Sequence, residues 1–182
     1  MSDSPTLPSI YELNSQDYDA FKYSINVLFE PAPPLVNVLY SLRPFDSYAS
    51  LVSAATKIIL DDNGPLTYQQ KLEVINAHPR LGENKKNLSA MSLKEQGYTK
   101  MGESVESSGV DDVNKKLREL NTLYEEKYGF KFVIFVNGRS RDEIIPILKE
   151  KIENGNKEDE LGRGLADMMN IASDRLRKLN KE

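Results

Sequence analysis

Apolar positions recur along most of the chain at the three- and four-residue spacing of a helix face. Tyr18, Phe21, Ile25 and Leu28 form the first stripe, with Ser15 as its expected N-cap. Pro31, Pro33 and Pro34 end that helix and launch a short apolar one through Tyr40. Leu51, Ala54, Ala55, Ile58 and Ile59 mark the next, which Asp46 is placed to cap, and Asp62-Asn63-Gly64-Pro65 reads as a turn. Thr67 opens a helix bearing Leu72, Ile75 and Asn76. It runs into Pro79, which biases His78 out of the helical region. A short helix is predicted from Ser92, where Ser92-Leu93-Lys94-Glu95 has the form of a capping box. From Asp111 to Tyr128, Val113, Leu117, Leu120, Leu123 and Tyr124 are predicted to share a face, and Gly129 follows as the residue past the helix end. Two more helices are expected, about Arg141 to Glu153 and Lys157 to Leu179.

The period breaks at Phe132-Val133-Ile134-Phe135-Val136, which is β-branched and aromatic and is followed by Asn137-Gly138. The sequence offers it no clear partner strand. It is therefore predicted as a buried extended stretch whose backbone groups need other partners, of which a ligand is one. No repeat and no low-complexity linker interrupts the chain. The expectation is an all-α protein: one domain over 1–182, a bundle of about seven to nine helices with one buried extended segment at 132–136. Residues 1–10 are expected as a loosely ordered arm.

Composition narrows the chemistry. The chain has 182 residues, 39% of them hydrophobic and 29% charged, with a net charge of −4. That describes a globular protein with no basic patch for nucleic acid. Cysteine is absent and His78 is the one histidine, so thiol nucleophiles, disulfides and the usual zinc sites fall away. No apolar run is long enough to span a membrane, and the start of the chain is too polar for a signal peptide. The expected setting is soluble and intracellular.

Three candidates for chemistry remain. His78 is the side chain that ordinarily titrates near neutral pH, and it stands at a helix end before a proline. Its kinked position is expected to turn the ring away from the regular core, and the carbonyl end of the helix favours the protonated form. The plain alternative is a structural histidine. Glu95 and Gln96 place an acid beside an amide at a short helix; the alternative is that Glu95 only closes the capping box with Ser92. Arg175 lies on the last helix, where periodicity does not separate it from the solvated pattern of Arg177 and Lys178. Other patterns carry less. Gly162-Arg163-Gly164 lacks the third glycine and the preceding strand of a dinucleotide site. Asp61-Asp62 and Asp111-Asp112 read as turn and helix-start acids, and Lys85-Lys86 as a solvated turn.

Several motifs stand in register over nearly the whole chain. They are Leu42-Arg43-Pro44-Phe45, His78-Pro79-Arg80-Leu81-Gly82, Ser92 to Gln96, Leu120-Asn121-x-x-Tyr124-x-x-Lys127-Tyr128-Gly129-Phe130, Phe132-Val133-Ile134, and Ile171-Ala172-x-x-Arg175-Leu176. With them the chain resembles the 2-oxo-4-hydroxy-4-carboxy-5-ureidoimidazoline (OHCU) decarboxylases of urate degradation. The resemblance implies a cofactor-free, metal-free lyase that is commonly dimeric and converts a small ureidoimidazoline to (S)-allantoin. It carries the family's catalytic histidine onto His78, its acidic partner onto Glu95 and its functional arginine onto Arg175. Substrate binding is implied for Pro79, for Ser92, Leu93, Lys94, Glu95 and Gln96, for Phe132, Val133, Ile134, Phe135 and Val136, and for Arg175. Gln96 is expected to read ring amide groups. Arg80 and Gly82 depart from the family, where Asp and Ala are common. The family is often peroxisomal, so the implied compartment is cytoplasm or peroxisome; the end of the chain shows no Ser-Lys-Leu signal. A helical binding module and a hydrolase of a related ureide are the competing readings.

Overall fold

A computed structural model of the chain describes residues 6–30, 32–83, 88, 90–96 and 108–179, with backbone alone at 90, 94 and 108–111. The described residues are all-α, without a strand. They form nine helices: α1 (Ile10–Ser15), α2 (Tyr18–Ile25), α3 (Pro33–Ser41), α4 (Tyr48–Leu60), α5 (Tyr68–Ala77), α6 (Ala90–Glu95), α7 (Ser108–Tyr128), α8 (Arg141–Asn154) and α9 (Lys157–Lys178). The helical periods of the sequence are found in α2 to α9. The helix α1 is additional, and it begins on a capping box between Ser9 and Glu12. The described end of the expected N-terminal arm is tied down, since Leu7 is buried and the Pro8 carbonyl accepts the Tyr48 hydroxyl at 2.9 Å.

Cap residues differ from expectation by a step or two. Asp17, not Ser15, caps α2 by accepting the Ala20 N–H, while the Ser15 hydroxyl turns back to the Glu12 carbonyl. Ser47, not Asp46, caps α4, in a reciprocal box with Ser50. Ser92 does not open a helix. Because α6 begins at Ala90, Ser92 lies inside it, and its carbonyl accepts the Gln96 N–H at 3.0 Å. Thr67 does cap α5, and Gly129 ends α7 at φ 83° with its N–H on the Glu125 carbonyl. Leu123 is half exposed instead of sharing the apolar face of α7. At 100° per residue it sits roughly 90° from the line of Leu117, Leu120 and Tyr124, and Asn121 takes the inward place.

The chain falls into two compact units, one made of the residues up to His78 with those from Leu165 onward, the other Pro79–Gly164. In the first, α3 packs on α4 and α5 and buries Leu35, Val36 and Leu39. The core there also takes Leu13, Phe21, Ile25, Leu51, Ile59, Val74, Ile75, Met168 and Ala172. In the second, α7 packs on α8. Its centre is a cluster of edge-on rings, with Tyr124 set 4.6 Å from Tyr128, 5.2 Å from Phe132 and 5.9 Å from Phe130 between centroids.

Candidate functional site

His78 closes α5. Its backbone is extended (φ −73°, ψ 139°) ahead of Pro79, and its N–H reaches the Ile75 carbonyl at 3.2 Å. The residue is buried, at 8% exposure, so the ring is enclosed rather than turned out of the packed interior as the kink suggested. In the same unit, Arg175 is buried completely. Its NH2 donates to Glu30 Oε1 at 3.0 Å and its NH1 to the Leu28 carbonyl at 3.4 Å. The solvated alternative therefore fails for Arg175 and holds for its neighbours. Arg177 and Lys178 are mostly exposed and converge on Asp174 at 2.5 and 2.6 Å. Burial raises the Asp174 carboxyl, but the hydrogen bonds from Lys178 and Arg177 outweigh it and hold the group below the usual carboxylate range.

The other expected residues lie in the second unit. Pro79 is half-buried and leads into a turn whose backbone is gripped by side chains. The Gln96 amide donates from Nε2 to the Arg80 carbonyl at 3.1 Å and accepts the Gly82 N–H on Oε1 at 3.0 Å. The Asn121 amide donates to the Leu81 carbonyl at 3.0 Å. The Arg80 guanidinium meets Glu125 in a two-pronged pair at 2.5 and 2.8 Å, and that carboxylate strengthens its hold on the proton. Gln96 thus braces the turn in this structure, where the sequence suggested a reader of ring amides. Arg141 extends the brace, reaching the Gln96 carbonyl at 2.9 Å and Asn114 Oδ1 at 2.8 Å. Glu95, the last residue of α6, and Leu93 are half-buried; Ser92 is buried. The side chain of Lys94 and the Lys85-Lys86 pair lie outside the described residues.

The expected extended segment is present. Phe132, Val133 and Ile134 are buried without a β-ladder, and Phe135 and Val136 are partly exposed. Two of its carbonyls find a partner that the sequence reading did not name. Asn137 and Gly138 both take positive φ (48° and 78°), a turn that brings the Arg139 N–H back to the Val136 carbonyl at 3.1 Å. The Arg139 guanidinium then covers the carbonyls of Phe135 and Val136 at 2.5 and 3.0 Å. A cleft of about 510 Å³ also opens in this unit, walled by the 80–83 turn and by Arg118, Asn121 and Glu125 of α7. None of the residues expected to bind substrate lines it.

Among the described residues no group of three His, Asp or Glu side chains is placed to hold a metal ion, and no helix is long and apolar enough to cross a membrane. Glu30, Asn121, Arg139 and Arg141, which hydrogen-bond the expected residues or the turn beside them, were not among the site residues expected from the sequence. Asn121 had a visible signal, a polar residue on the apolar stripe of α7.

Relatives share this chain's pattern. A uric acid degradation bifunctional protein of Bacillus sp. (strain TB-90) is 29% identical over 94% of this chain; the chain spans about a third of its length, 32%. A 2-oxo-4-hydroxy-4-carboxy-5-ureidoimidazoline decarboxylase of Halalkalicoccus jeotgali is 26% identical, covering 94% of this chain and 91% of its own. The fold is like that of a crystal structure of OHCU decarboxylase in the presence of (S)-allantoin, with a TM-score of 0.63, 20% identity, and coverage of 91% of this chain and 99% of that one. The family model for OHCU decarboxylase matches residues 14–177, nearly all of what the helices comprise, and the chain belongs to the OHCU decarboxylase family.

Proposed function

We propose that this chain decarboxylates 2-oxo-4-hydroxy-4-carboxy-5-ureidoimidazoline to (S)-allantoin in urate degradation. The observation that carries the reading is the family match across residues 14–177. The substrate explains how such a reaction runs without an electron-sink cofactor. Its carboxylate sits on a carbon that bears a hydroxyl and adjoins the ring's unsaturated C–N unit. As the carbon–carboxylate bond breaks, carbon dioxide leaves and the bond's electron pair moves into that unit. The ring nitrogen takes a proton, leaving an enol; its hydroxyl then gives up its proton to become the carbonyl of allantoin, and the neighbouring carbon that bears the ureido group takes a proton on one face.

In this proposal His78 is the general acid that delivers the proton. Its enclosure supports the role, since a buried imidazole holds its orientation and keeps competing water away. Glu95 hydrogen-bonds the imidazole or the substrate hydroxyl, and a carboxylate beside an imidazole favours the charged donor form. Arg175 supplies fixed positive charge for the anion. Residues 132–136 bind the ring and ureido group through backbone polar atoms, with Phe132 and Phe135 excluding water. Pro79, Ser92, Leu93, Lys94 and Gln96 complete the binding set, Gln96 also keeping the turn after Pro79 in shape. The protein acts in this reading as one domain over 1–182 and as a soluble homodimer, in cytoplasm or peroxisome.

The test is circular dichroism on freshly made substrate, generated from urate by urate oxidase and hydroxyisourate hydrolase. Added protein should give one allantoin enantiomer with release of carbon dioxide, faster than the blank. His78→Asn should lower turnover by about 10²–10⁴. A folded wild-type chain that leaves the blank rate unchanged would sink the reading, and ring opening without carbon dioxide would mean a hydrolase.

A further inference from the structure

Two partners of Arg175 come from one short stretch of chain, the Leu28 carbonyl and the Glu30 carboxylate, across 147 and 145 residues of sequence. Both charged side chains are enclosed: 1% of the arginine side chain is exposed and 9% of the glutamate's. The residues beside them in sequence, Phe29, Ala32, Ala172 and Leu176, are buried as well. A pair in such surroundings adds little net stability over apolar side chains of the same size, because desolvating two charges offsets their attraction. Its presence calls for another reason. The pairs of the same helix turn differ in that their cations, Arg177 and Lys178, reach Asp174 from solvent, 67% and 51% exposed.

We propose that Glu30 is a positioning residue for the decarboxylation, setting the Arg175 guanidinium in the orientation that receives the anionic substrate; this rests on the function proposed above. The guanidinium is planar, so a carboxylate on NH2 and a carbonyl on NH1 fix both its place and its plane. The Glu30 charge has a second effect of opposite sign. It neutralises the guanidinium in the resting protein, which lets the arginine stay enclosed but weakens its pull on an anion. Removing the charge should therefore bind substrate no worse and orient it less well.

The experiment is Glu30→Gln in the full chain, with kcat and KM taken from allantoin formation and folding followed by thermal denaturation. The expected result is a kcat at least tenfold lower with KM unchanged or reduced. In an Arg175→Lys background the same substitution should change kcat less than twofold, because it acts through the arginine. A folded Glu30→Gln protein with kcat within twofold of wild type overturns the proposal, and so does a loss of activity that only tracks the loss of folded protein. If Glu30→Gln does not fold, Glu30→Asp keeps the charge and draws the carboxylate back by one methylene. A tenfold fall in its kcat at unchanged KM supports the proposal and wild-type kcat overturns it. Failure of the decarboxylase reading is distinct, because the wild-type chain itself would then not exceed the blank.

Discussion

Arg80, Leu81 and Gly82 each offer one backbone polar group to a side chain, two to Gln96 and one to Asn121. This grip asks for a backbone that only one residue type adopts freely. Gly82 has φ 79°, and a Cβ there would stand 3.4 Å from Leu117 Cβ, a tight but tolerable approach. The strain of a substitution is therefore in the backbone more than in the contact. Gly82→Ala should cost about 1–2 kcal/mol, the scale for an L-residue held in the left-handed region. Urea unfolding measures it, and an unchanged midpoint would mean that the turn relaxes to negative φ. Asn121 completes the grip at a cost of its own. Its Oδ1 is buried with no partner, one of two such side-chain atoms among the described residues, so its Nδ2 bond to Leu81 is made at the expense of the other end of the amide.

At the scale of elements, the second unit is pinned at Glu160. This carboxylate on α9 is 1% exposed and accepts Lys151 Nζ of α8 at 2.9 Å, Arg163 at 2.9 Å and the Tyr124 hydroxyl of α7 at 3.1 Å. Glu160→Ala would leave the Lys151 charge, 16% exposed, without its partner and should cost about 3–5 kcal/mol. Glu160→Gln should cost less, since it keeps an acceptor for the phenol. Equal stability of all three proteins under chemical denaturation would remove Glu160 as a hub. The helices that meet here were legible because their apolar residues recur at the helical period. Their exact starts were not, because Asp46 and Ser47, or Ser15 and Asp17, are both competent caps and the packed helix decides between them. The helix α1 escaped because it is six residues long and buries one, Leu13, too little for a period to show. The extended segment was legible from its β-branched, aromatic run, but its partner Arg139 was not, because the turn that returns it depends on two positive φ angles. The burial of Arg175 escaped for a different reason. Its partner Glu30 lies 145 residues away, and the local period is the same for an arginine that faces in or out.

Among the buried phenols of the described residues, one in each unit, Tyr48 and Tyr124, is held protonated beyond the usual range, and the two shape the behaviour of the molecule in alkali. Burial and the neighbouring Glu160 push the Tyr124 hydroxyl well above its usual range, with the hydrogen bond to that carboxylate adding to the effect. Burial, helped by Glu12, pushes Tyr48 up to about 12. A phenol unfolded in water ionises near pH 10. Below that pH both phenols are neutral in the folded and unfolded chains, and their contribution to stability is fully present. As pH rises past about 10 the unfolded chain loses these protons while the folded chain keeps them, so the unfolded state gains free energy of ionisation. Stability should therefore decline steadily above pH 10, Tyr48 ceasing to add to the slope near 12 and Tyr124 continuing beyond. Removing a phenol removes its share of the slope. Tyr124→Phe should be less stable than wild type near neutrality, by about 1 kcal/mol for the lost hydrogen bond, yet fall less steeply in alkali. Tyr48→Phe should show the same pattern more weakly, through its lost bond to the Pro8 carbonyl. Unfolding curves at a series of pH values from 8 to 12 separate the cases. Parallel slopes for wild type and both variants would mean that these phenols ionise in place and do not set the alkaline loss of structure.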